Sequence, residues 1–191
     1  VAGEILSAIP DYIEVILIPG NHDATSQALP QAAVPEEFLK LIRRHRDVIS
    51  LRDPAKIRLH GVETLIYHGR SLDDVVGVIP EVTYQNLRDS VPLAMRALIK
   101  ARHLAPNYGA RTPIVATRRD ELVIDVPPDI LHCGHVHVMG SEMYRGTLLV
   151  NSGTWQGQTS YQERMGLEPT PGIAPVVNLK DLSVVRVNFA A

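Results

Sequence analysis

The sequence has little of what marks several classes of protein. It holds one cysteine, Cys133, among 191 residues, which excludes an internal disulfide framework and favours a reducing compartment. Its longest apolar runs, such as residues 15–18, fall far short of the roughly 18 residues that a membrane-spanning helix needs. The chain begins at Val1 without a signal-peptide pattern. We therefore expect no membrane partner.

An excess of charge of one sign is also absent. Lys and Arg number 19 and Asp and Glu number 21, which gives a formal net charge of −2. This balance excludes a general electrostatic field for a polyanion, so nucleic acid could bind only at a local patch. Apolar residues make up 45% and charged residues 21% of the chain, which is typical of a folded globular protein. The length fits one domain or most of one.

The hydrophobic pattern predicts helices mixed with buried strands. Residues 13–18 form a continuous apolar run that ends at Pro19-Gly20, which suits a strand buried on both faces of an α/β sheet. Helices are predicted over residues 35–48 and 92–105, where apolar side chains recur on one face. Further strands are predicted at 56–59, 63–67, 121–126, 129–133, 138–144, 147–150, 175–179 and 183–189, with a long ordered loop at 151–174.

Three predicted strands each run into a tight turn that carries polar side chains. These segments are residues 18–23 (Ile-Pro-Gly-Asn-His-Asp), 65–69 (Leu-Ile-Tyr-His-Gly) and 130–137 (Ile-Leu-His-Cys-Gly-His-Val-His). Ligands of open α/β sheets usually lie beyond the carboxyl ends of the strands. A glycine in each turn lets the backbone bend sharply and approach an ion closely. Together the three turns predict a metal site.

The side chains offered in these turns are specific in their chemistry. Imidazole nitrogens with amide and carboxylate oxygens suit zinc, iron, manganese and similar ions, whereas a lone cysteine argues against a structural zinc site. His135 and His137 are two residues apart, which on extended backbone places both on one side, as ligands of one cluster or one for each of two ions. Taken singly, each motif also fits an ordinary turn or a packing histidine. We interpret His45, His60, His103 and His132 as surface or packing residues.

The motifs resemble a known superfamily. Gly20-Asn21-His22-Asp23, Tyr67-His68-Gly69 and Gly134-His135-Val136-His137 are similar to the later motifs of the calcineurin-like metallophosphoesterases. Four longer stretches, at residues 18–31, 67–80, 100–114 and 131–162, resemble the small subunits of archaeal family D DNA polymerases. The resemblance covers nearly the whole chain, and the longer stretches separate it from generic phosphoesterases.

The resemblance implies a fold, an activity and partners. The fold would be α/β, a calcineurin-like metallophosphoesterase sandwich of two packed mixed β-sheets flanked by helices. Residues 1–191 would be the C-terminal part of a single domain that is incomplete at its N-terminus. The activity would be a proofreading 3′–5′ exonuclease that hydrolyses DNA phosphodiesters with two divalent metal ions, usually manganese. The partners would be DNA 3′ ends and the large catalytic polymerase subunit, in a heterodimer. The location would be the archaeal cytoplasm, in association with the nucleoid.

The resemblance also implies roles for individual residues. Asn21, His68 and His135 would bind one metal ion, and His137 would bind the other. His22 would face the scissile phosphate as general acid or stabilise charge on the leaving oxygen. Asp23 would hold His22 in the required tautomer, a role that the pairing of histidine with carboxylate also supports.

Three further residues are candidates for contact with the substrate. Arg70 and Ser71 directly follow the turn that carries His68 and could touch the substrate phosphate. Trp155 lies in the predicted loop at 151–174 and could stack on a base. The alternative for Trp155 is that it anchors this loop by packing.

The sequence departs from the pattern that it resembles. The family's first motifs are Asp-any-His and Gly-Asp, and neither string occurs in the 191 residues. We therefore expect that an N-terminal part is absent and that the isolated chain is inactive or nearly so. Two alternatives stay open. The protein could be a non-catalytic scaffold like the B-subunits of eukaryotic replicative polymerases, or a phosphoesterase that acts on small phosphodiesters.

Overall fold

Helices and short strands are mixed along residues 2–190, which are the residues described by the structure, a computed structural model. The helices are α1 (Ala2–Ser7), α2 (Glu36–Arg43), α3 (Leu72–Val75), α4 (Leu87–Ala101) and α5 (Ser160–Met165). The strands are β1 (Ile16–Leu17), β2 (Ile49–Ser50), β3 (Ala55–Leu59), β4 (Val62–Ile66), β5 (Ile130–Cys133), β6 (Met139–Tyr144), β7 (Thr147–Ser152), β8 (Ile173–Val177) and β9 (Val184–Asn188).

A five-stranded mixed sheet in the order β3-β4-β5-β7-β6 forms the centre of the fold. Its three middle strands are parallel, and the edge strands β3 and β6 pair antiparallel to their neighbours. Leu65, Leu131 and Leu149 are partners across the three middle strands and are almost fully buried. The middle strands are rich in apolar residues because both faces of this sheet are covered.

Helix α4 covers one face of the sheet. It packs against β6 and β7, and its Val91, Met95 and Leu98 are fully buried in the same core cluster as Leu131. The approach is close at Gly140, where an added Cβ would lie 2.4 Å from Cγ1 of Val91. Glycine is therefore required at this point of contact between helix and sheet.

A second layer of strands covers the other face. Ile130, Leu148 and Val150 form a smaller buried cluster that packs against Val177 and Val184. These two residues lie on the antiparallel hairpin of β8 and β9. The predicted α/β class, with a mixed sheet flanked by helices and packed against further strands, is confirmed. That residues 1–191 are the C-terminal part of a single domain stays a prediction.

Several element boundaries differ from the sequence prediction. Only Ile16–Leu17 of the expected strand at 13–18 pairs, with β2, and both residues are half-buried rather than covered on two faces. Helix α4 begins at Leu87, five residues before Pro92, because Leu87 is a fully buried core residue. No helix among residues 2–190 has the length and hydropathy to cross a membrane.

Helix α5 lies inside the segment predicted to be a long loop. Thr159 caps it, since the Thr159 hydroxyl accepts from the Gln162 amide N–H and the Gln162 carboxamide accepts from the Thr159 N–H. This reciprocal pair satisfies two amide groups that a short helix otherwise leaves unbonded. The sequence did not predict this helix because glycine and proline residues, which are typical of loops, lie on either side of it.

Candidate metal centre

The central sheet brings two of the predicted metal ligands to one edge. Strands β4 and β5 are parallel neighbours, so their carboxyl ends meet. The pairing extends past the strands, because the Tyr67 N–H donates to the His132 carbonyl at 2.9 Å and the Gly134 N–H donates to the His68 carbonyl at 3.0 Å. His68 and His135 therefore lie together, as predicted from their positions after two strands.

The side chains of Asn21, His68 and His135 form a group that we name the donor cluster. Oδ1 of Asn21 lies 2.9 Å from Nε2 of His68, and the same nitrogen lies 3.1 Å from Nδ1 of His135. The two imidazole rings meet edge to face, with centroids 4.9 Å apart and planes at 70°. Three of the four predicted metal ligands are thus in direct contact.

The turn that carries Asn21 is held from outside the motif. An added Cβ on Gly20 would lie 2.8 Å from Cε1 of His68, so glycine is needed for the turn to approach the ring. The buried Gln31 carboxamide donates to the Gly20 carbonyl at 3.2 Å, to the Thr25 hydroxyl at 3.1 Å and to the Ser26 carbonyl at 2.9 Å. The sequence prediction missed Gln31, since no local pattern marks it.

Burial favours the neutral imidazole of both His68 and His137. Burial, followed by repulsion from His135 and His22, lowers the pKa of His68 from 6.5 to about 3. Burial, with repulsion from His135 and His22, also lowers the pKa of His137. A neutral imidazole has a nitrogen lone pair available for a metal ion. These histidines are therefore in the protonation state that metal binding requires.

The backbone at the third turn differs from the prediction. The expectation of extended backbone at His135 and His137 is wrong, because their φ angles are 68° and 59°. This left-handed region is unfavourable for side chains with a Cβ, at a cost of about 1–3 kcal/mol for each residue. The two side chains are therefore not placed on one side by strand alternation.

His137 has a hydrogen-bond partner outside the donor cluster. Nε2 of Gln162 lies 2.7 Å from Nδ1 of His137, and Oε1 of Gln162 is engaged by the Thr159 N–H. The capping box of α5 thus orients the Gln162 amide group so that it donates to His137. The lone pair on Nδ1 of His137 is used in this contact, so only Nε2 faces other partners.

A carboxylate and a phenol hold the outer side of His135. Oδ2 of Asp73 lies 3.0 Å from Nε2 of His135, and the Tyr84 hydroxyl donates to Oδ1 of Asp73 at 3.1 Å. Burial alone would raise the pKa of Asp73, but the hydrogen bonds from His135 and Tyr84 lower it overall. The carboxylate is therefore ionised and acts only as an acceptor. The sequence marks Asp73 only as an acidic residue in the first turn of a helix.

Asp53 bonds the backbone of the turn that carries His68. Its Oδ1 accepts from the His68 N–H at 2.8 Å, and its backbone exchanges two hydrogen bonds with Gln31. Asp53 is fully buried, and its Oδ2 has no hydrogen-bond partner among the described residues. Burial raises the pKa of Asp53 from 3.8 to about 7, although the hydrogen bond from His68 opposes this shift. Nothing in the local sequence distinguishes Asp53 from a loop residue.

The two predicted catalytic residues lie on the exposed side of the Asn21 turn. His22 is exposed, and its charge is close enough to lower the pKa of both His68 and His137. Asp23 closes its own turn, since its Oδ2 accepts from the Gly20 N–H at 2.7 Å. Within residues 2–190, Asp23 and His22 show no hydrogen bond to each other. Their pairing therefore stays a prediction.

The predicted substrate contacts have different surroundings. Ser71 is fully buried, where its hydroxyl contacts the Tyr67 hydroxyl and the Leu104 carbonyl, so the expected contact with a phosphate is wrong. Arg70 is half-buried and donates to the Gln27 carbonyl at 2.6 Å. Trp155 is 72% exposed and meets the exposed ring of Phe189 at 5.7 Å, so it does not anchor its loop in the core.

The donor cluster fits one side of a small divalent cation. Two ligands about 2.1 Å from an octahedral ion and at right angles are about 3.0 Å apart, close to the 2.9 and 3.1 Å separations of the cluster. Nitrogen and amide oxygen donors suit manganese, iron or zinc. Among residues 2–190, no group of three or more His, Cys, Asp or Glu could hold a metal ion. Two imidazoles and one amide therefore supply only part of a coordination shell.

Comparisons with known proteins find similarity to subunits of DNA polymerases. The family of B-subunits of DNA polymerases alpha and epsilon matches residues 2–138. A DNA polymerase II small subunit from Methanocaldococcus jannaschii is 47% identical over 175 residues, which are 91% of this chain and 28% of that protein. The Archaeoglobus fulgidus protein of the same name is 46% identical over 98% of this chain and 37% of its own length. The chain thus spans about a third of these relatives or less.

Solved structures with a similar arrangement include two Vps29 proteins, at low similarity. Vacuolar Protein Sorting 29 from Cryptosporidium parvum has 16% sequence identity and a TM-score of 0.41, over 96% of this chain and 83% of that chain. Vps29 from Entamoeba histolytica, complexed with Zn²⁺, has 18% identity and a TM-score of 0.37, over 92% of this chain and 99% of that chain.

Proposed function

The chain belongs to the B-subunit family of DNA polymerases alpha and epsilon, and from that premise we propose that it carries part of a 3′–5′ exonuclease centre in an archaeal DNA polymerase small subunit. The single observation that carries this proposal is the donor cluster, in which Asn21, His68 and His135 converge. A scaffold protein has no need to gather three side chains that can bind a metal ion beyond the ends of its strands. The calcineurin-like metallophosphoesterase fold and the proofreading role are parts of the same proposal.

The donor cluster would hold one divalent ion, with manganese as the expected metal, and His137 would contribute to a second. Such ions polarise phosphoryl oxygens and lower the pKa of a bound water. The low pKa of His68 keeps its imidazole neutral, which leaves the ring free to bind a cation. His137 must bind through Nε2 or leave Gln162, since Nδ1 is engaged with that residue.

His22 would act on the substrate from the exposed side of the cluster. Its imidazole is exposed and lies within the electrostatic range of His68 and His137. In this position it can donate a proton to the leaving oxygen of the scissile phosphodiester or stabilise the charge that develops there. Asp23 fixes the turn by bonding the Gly20 N–H, and thereby positions His22.

The substrate would be the 3′ end of DNA, and the partner would be the large catalytic subunit of the polymerase. A net charge of −2 gives the chain no general attraction for DNA, so the bound cations and local contacts must provide it. Arg70 beside the cluster and the exposed Trp155 are the proposed contacts, by charge and by base stacking respectively.

A non-catalytic scaffold is the second candidate function. Two observations favour it: the matching family is named for B-subunits and for no hydrolytic activity, and residues 2–190 hold no cluster of three or more His, Cys, Asp or Glu that could bind a metal ion. A scaffold would keep the fold and bind the polymerase while hydrolysing nothing. The two functions differ in what a single histidine change does to activity.

The test uses the full-length protein with its large subunit and a DNA primer that carries a labelled mismatched 3′ end. We expect His22→Ala to bind manganese as the natural protein does, but to hydrolyse the primer about 10²- to 10⁴-fold more slowly, the usual effect of removing a general acid. His60→Asn is the matched control, because His60 is an exposed turn residue with φ 49° at the far end of β4. Equal rates for both variants, or no hydrolysis by the natural protein, would refute the exonuclease proposal.

A further inference from the structure

Asp73 is the only carboxylate among residues 2–190 that bonds a side chain of the donor cluster. Its Oδ2 is 3.0 Å from Nε2 of His135, and the His135 side chain is only 13% exposed. An ionised carboxylate can only accept a hydrogen bond, so Nε2 of His135 must carry the proton. A ring with its single proton on Nε2 has its lone pair on Nδ1.

The lone pair of His135 points toward the donor cluster. Nδ1 lies 3.1 Å from Nε2 of His68, on the side of the ring away from Asp73. Rotating the ring by 180° about χ2 would bring the two nitrogens out of both contacts. The bond to Asp73 therefore selects one tautomer and one ring orientation together.

Tyr84 keeps Asp73 in position. Its hydroxyl donates to Oδ1 of Asp73 at 3.1 Å, so each carboxylate oxygen has its own partner. Helix α3, which carries Asp73, is only one turn long and gives little rigidity by itself. The contact from Tyr84 supplies a second fixed point for the carboxylate.

The neighbouring Asp74 has a different task, which makes it a natural control. Its carboxylate accepts from the backbone N–H groups of Arg111 at 2.9 Å and Thr112 at 3.2 Å. Adjacent positions on a helix point about 100° apart, so Asp74 faces the loop at 106–113 rather than His135. Both carboxylates are hydrogen-bonded, but only that of Asp73 contacts a proposed metal ligand.

We propose that Asp73, held by Tyr84, is a positioning residue that fixes His135 as the Nε2–H tautomer with Nδ1 directed into the metal site. The part that concerns metal rests on the proposed function, whereas the tautomer can be observed without any metal. His135 thus binds a cation through Nδ1, and Asp73 sets the affinity of the site without touching the ion.

Two measurements on the full-length protein test the proposal. The first is two-bond ¹⁵N–¹H correlation spectroscopy of ¹⁵N-histidine-labelled, metal-free protein, with His135 assigned from its absence in His135→Gln. We expect a single Nε2–H tautomer in the natural protein and a mixture of tautomers in Asp73→Ala. The second is calorimetric titration with Mn²⁺, where Asp73→Ala should weaken binding about 10- to 100-fold.

The other variants separate orientation from folding. Asp73→Asn keeps an acceptor for Nε2–H and should retain most of the tautomer and the Mn²⁺ affinity. Tyr84→Phe should shift both readouts in the direction of Asp73→Ala, but less. Asp74→Asn should lower the melting temperature while the tautomer and affinity stay unchanged. An unchanged tautomer in Asp73→Ala would overturn the proposal. A changed tautomer in Asp73→Ala, together with a natural protein that binds no Mn²⁺, would support the role of Asp73 and refute the proposed metal site.

Discussion

His135 and His137 are two residues apart, yet they are held by different parts of the molecule. His135 joins a cluster at the carboxyl edge of the central sheet, next to His68 on the adjacent parallel strand. His137 is held by Gln162 of the short helix α5. Parallel strands bring ligands together wherever their ends meet, whereas a turn beside a surface helix depends on each local contact. The position of His135 is thus set by the core of the sheet, and that of His137 by the capping box of α5.

The largest expected effect concerns the core of the sheet that positions His135. Leu131 lies on β5 and is fully buried between Leu65 and Leu149. Leu131→Ala should lower the free energy of unfolding by about 2–5 kcal/mol, because it removes apolar contacts and leaves a cavity. Urea unfolding measures this loss. The control is Val185→Ala at an exposed position of β9. An equally small loss of unfolding free energy in both variants would contradict the claim that the sheet core positions the donor cluster.

The next effect concerns the buried carboxylate beneath His68. The pKa of Asp53 is about 7 in the folded protein and 3.8 without burial, so between these values the folded state binds the proton more tightly. The stabilisation from Asp53 is complete below about pH 3.8 and is lost as the pH rises toward 7. Asp53→Asn has no such loss and keeps an acceptor for the His68 N–H.

The measurement is urea unfolding of metal-free natural protein and Asp53→Asn from pH 4 to pH 8. The variant should gain stability relative to the natural protein, by an amount on the order of 2–4 kcal/mol, as the pH rises across this window. A difference that stays constant with pH would show that Asp53 has an ordinary pKa. Replacement of Asp53 by Asn should alter the turn that carries His68 more than the turns that carry Asn21 and His137.

The smallest effect concerns the cap that holds His137. Thr159→Ala removes one side of the capping box and should cost about 1 kcal/mol. The signals of His137 should change, because the first turn of α5, which carries Gln162, loses its hydroxyl cap, while those of His68 should not. Thr159→Ser, which keeps the hydroxyl, is the control. An equal change at both histidines in NMR spectra would contradict the separation of the two regions.

The contrast between the two histidines also explains what the sequence could and could not predict. The strands predicted at 63–67 and 129–133 match β4 and β5 within about one residue, because their apolar runs lie in the sheet core. The meeting of His68 with His135 follows from these strands. By contrast, the backbone of His135 and His137 is left-handed, and nothing in the local sequence separates that conformation from an extended one.

The partners of the predicted ligands escaped prediction for a related reason. Asp73, Gln162 and Asp53 are 62, 25 and 15 residues away in sequence from the histidines that they contact. Hydrophobic periodicity and turn composition describe neighbours along the chain, so they cannot identify such pairs. Ser71 shows the converse error, since its place after a ligand turn indicated an accessible hydroxyl that tertiary packing buries.

Manganese binding to the full-length protein tests the central claim, that the sheet edge forms a cation site, most directly. Calorimetric titration would compare the natural protein with His68→Ala, His137→Ala and the control His60→Asn. We predict that His68→Ala loses one class of bound ion completely, that His137→Ala weakens only the other, and that His60→Asn changes neither. Identical stoichiometry and affinity in His68→Ala and the natural protein would contradict the account.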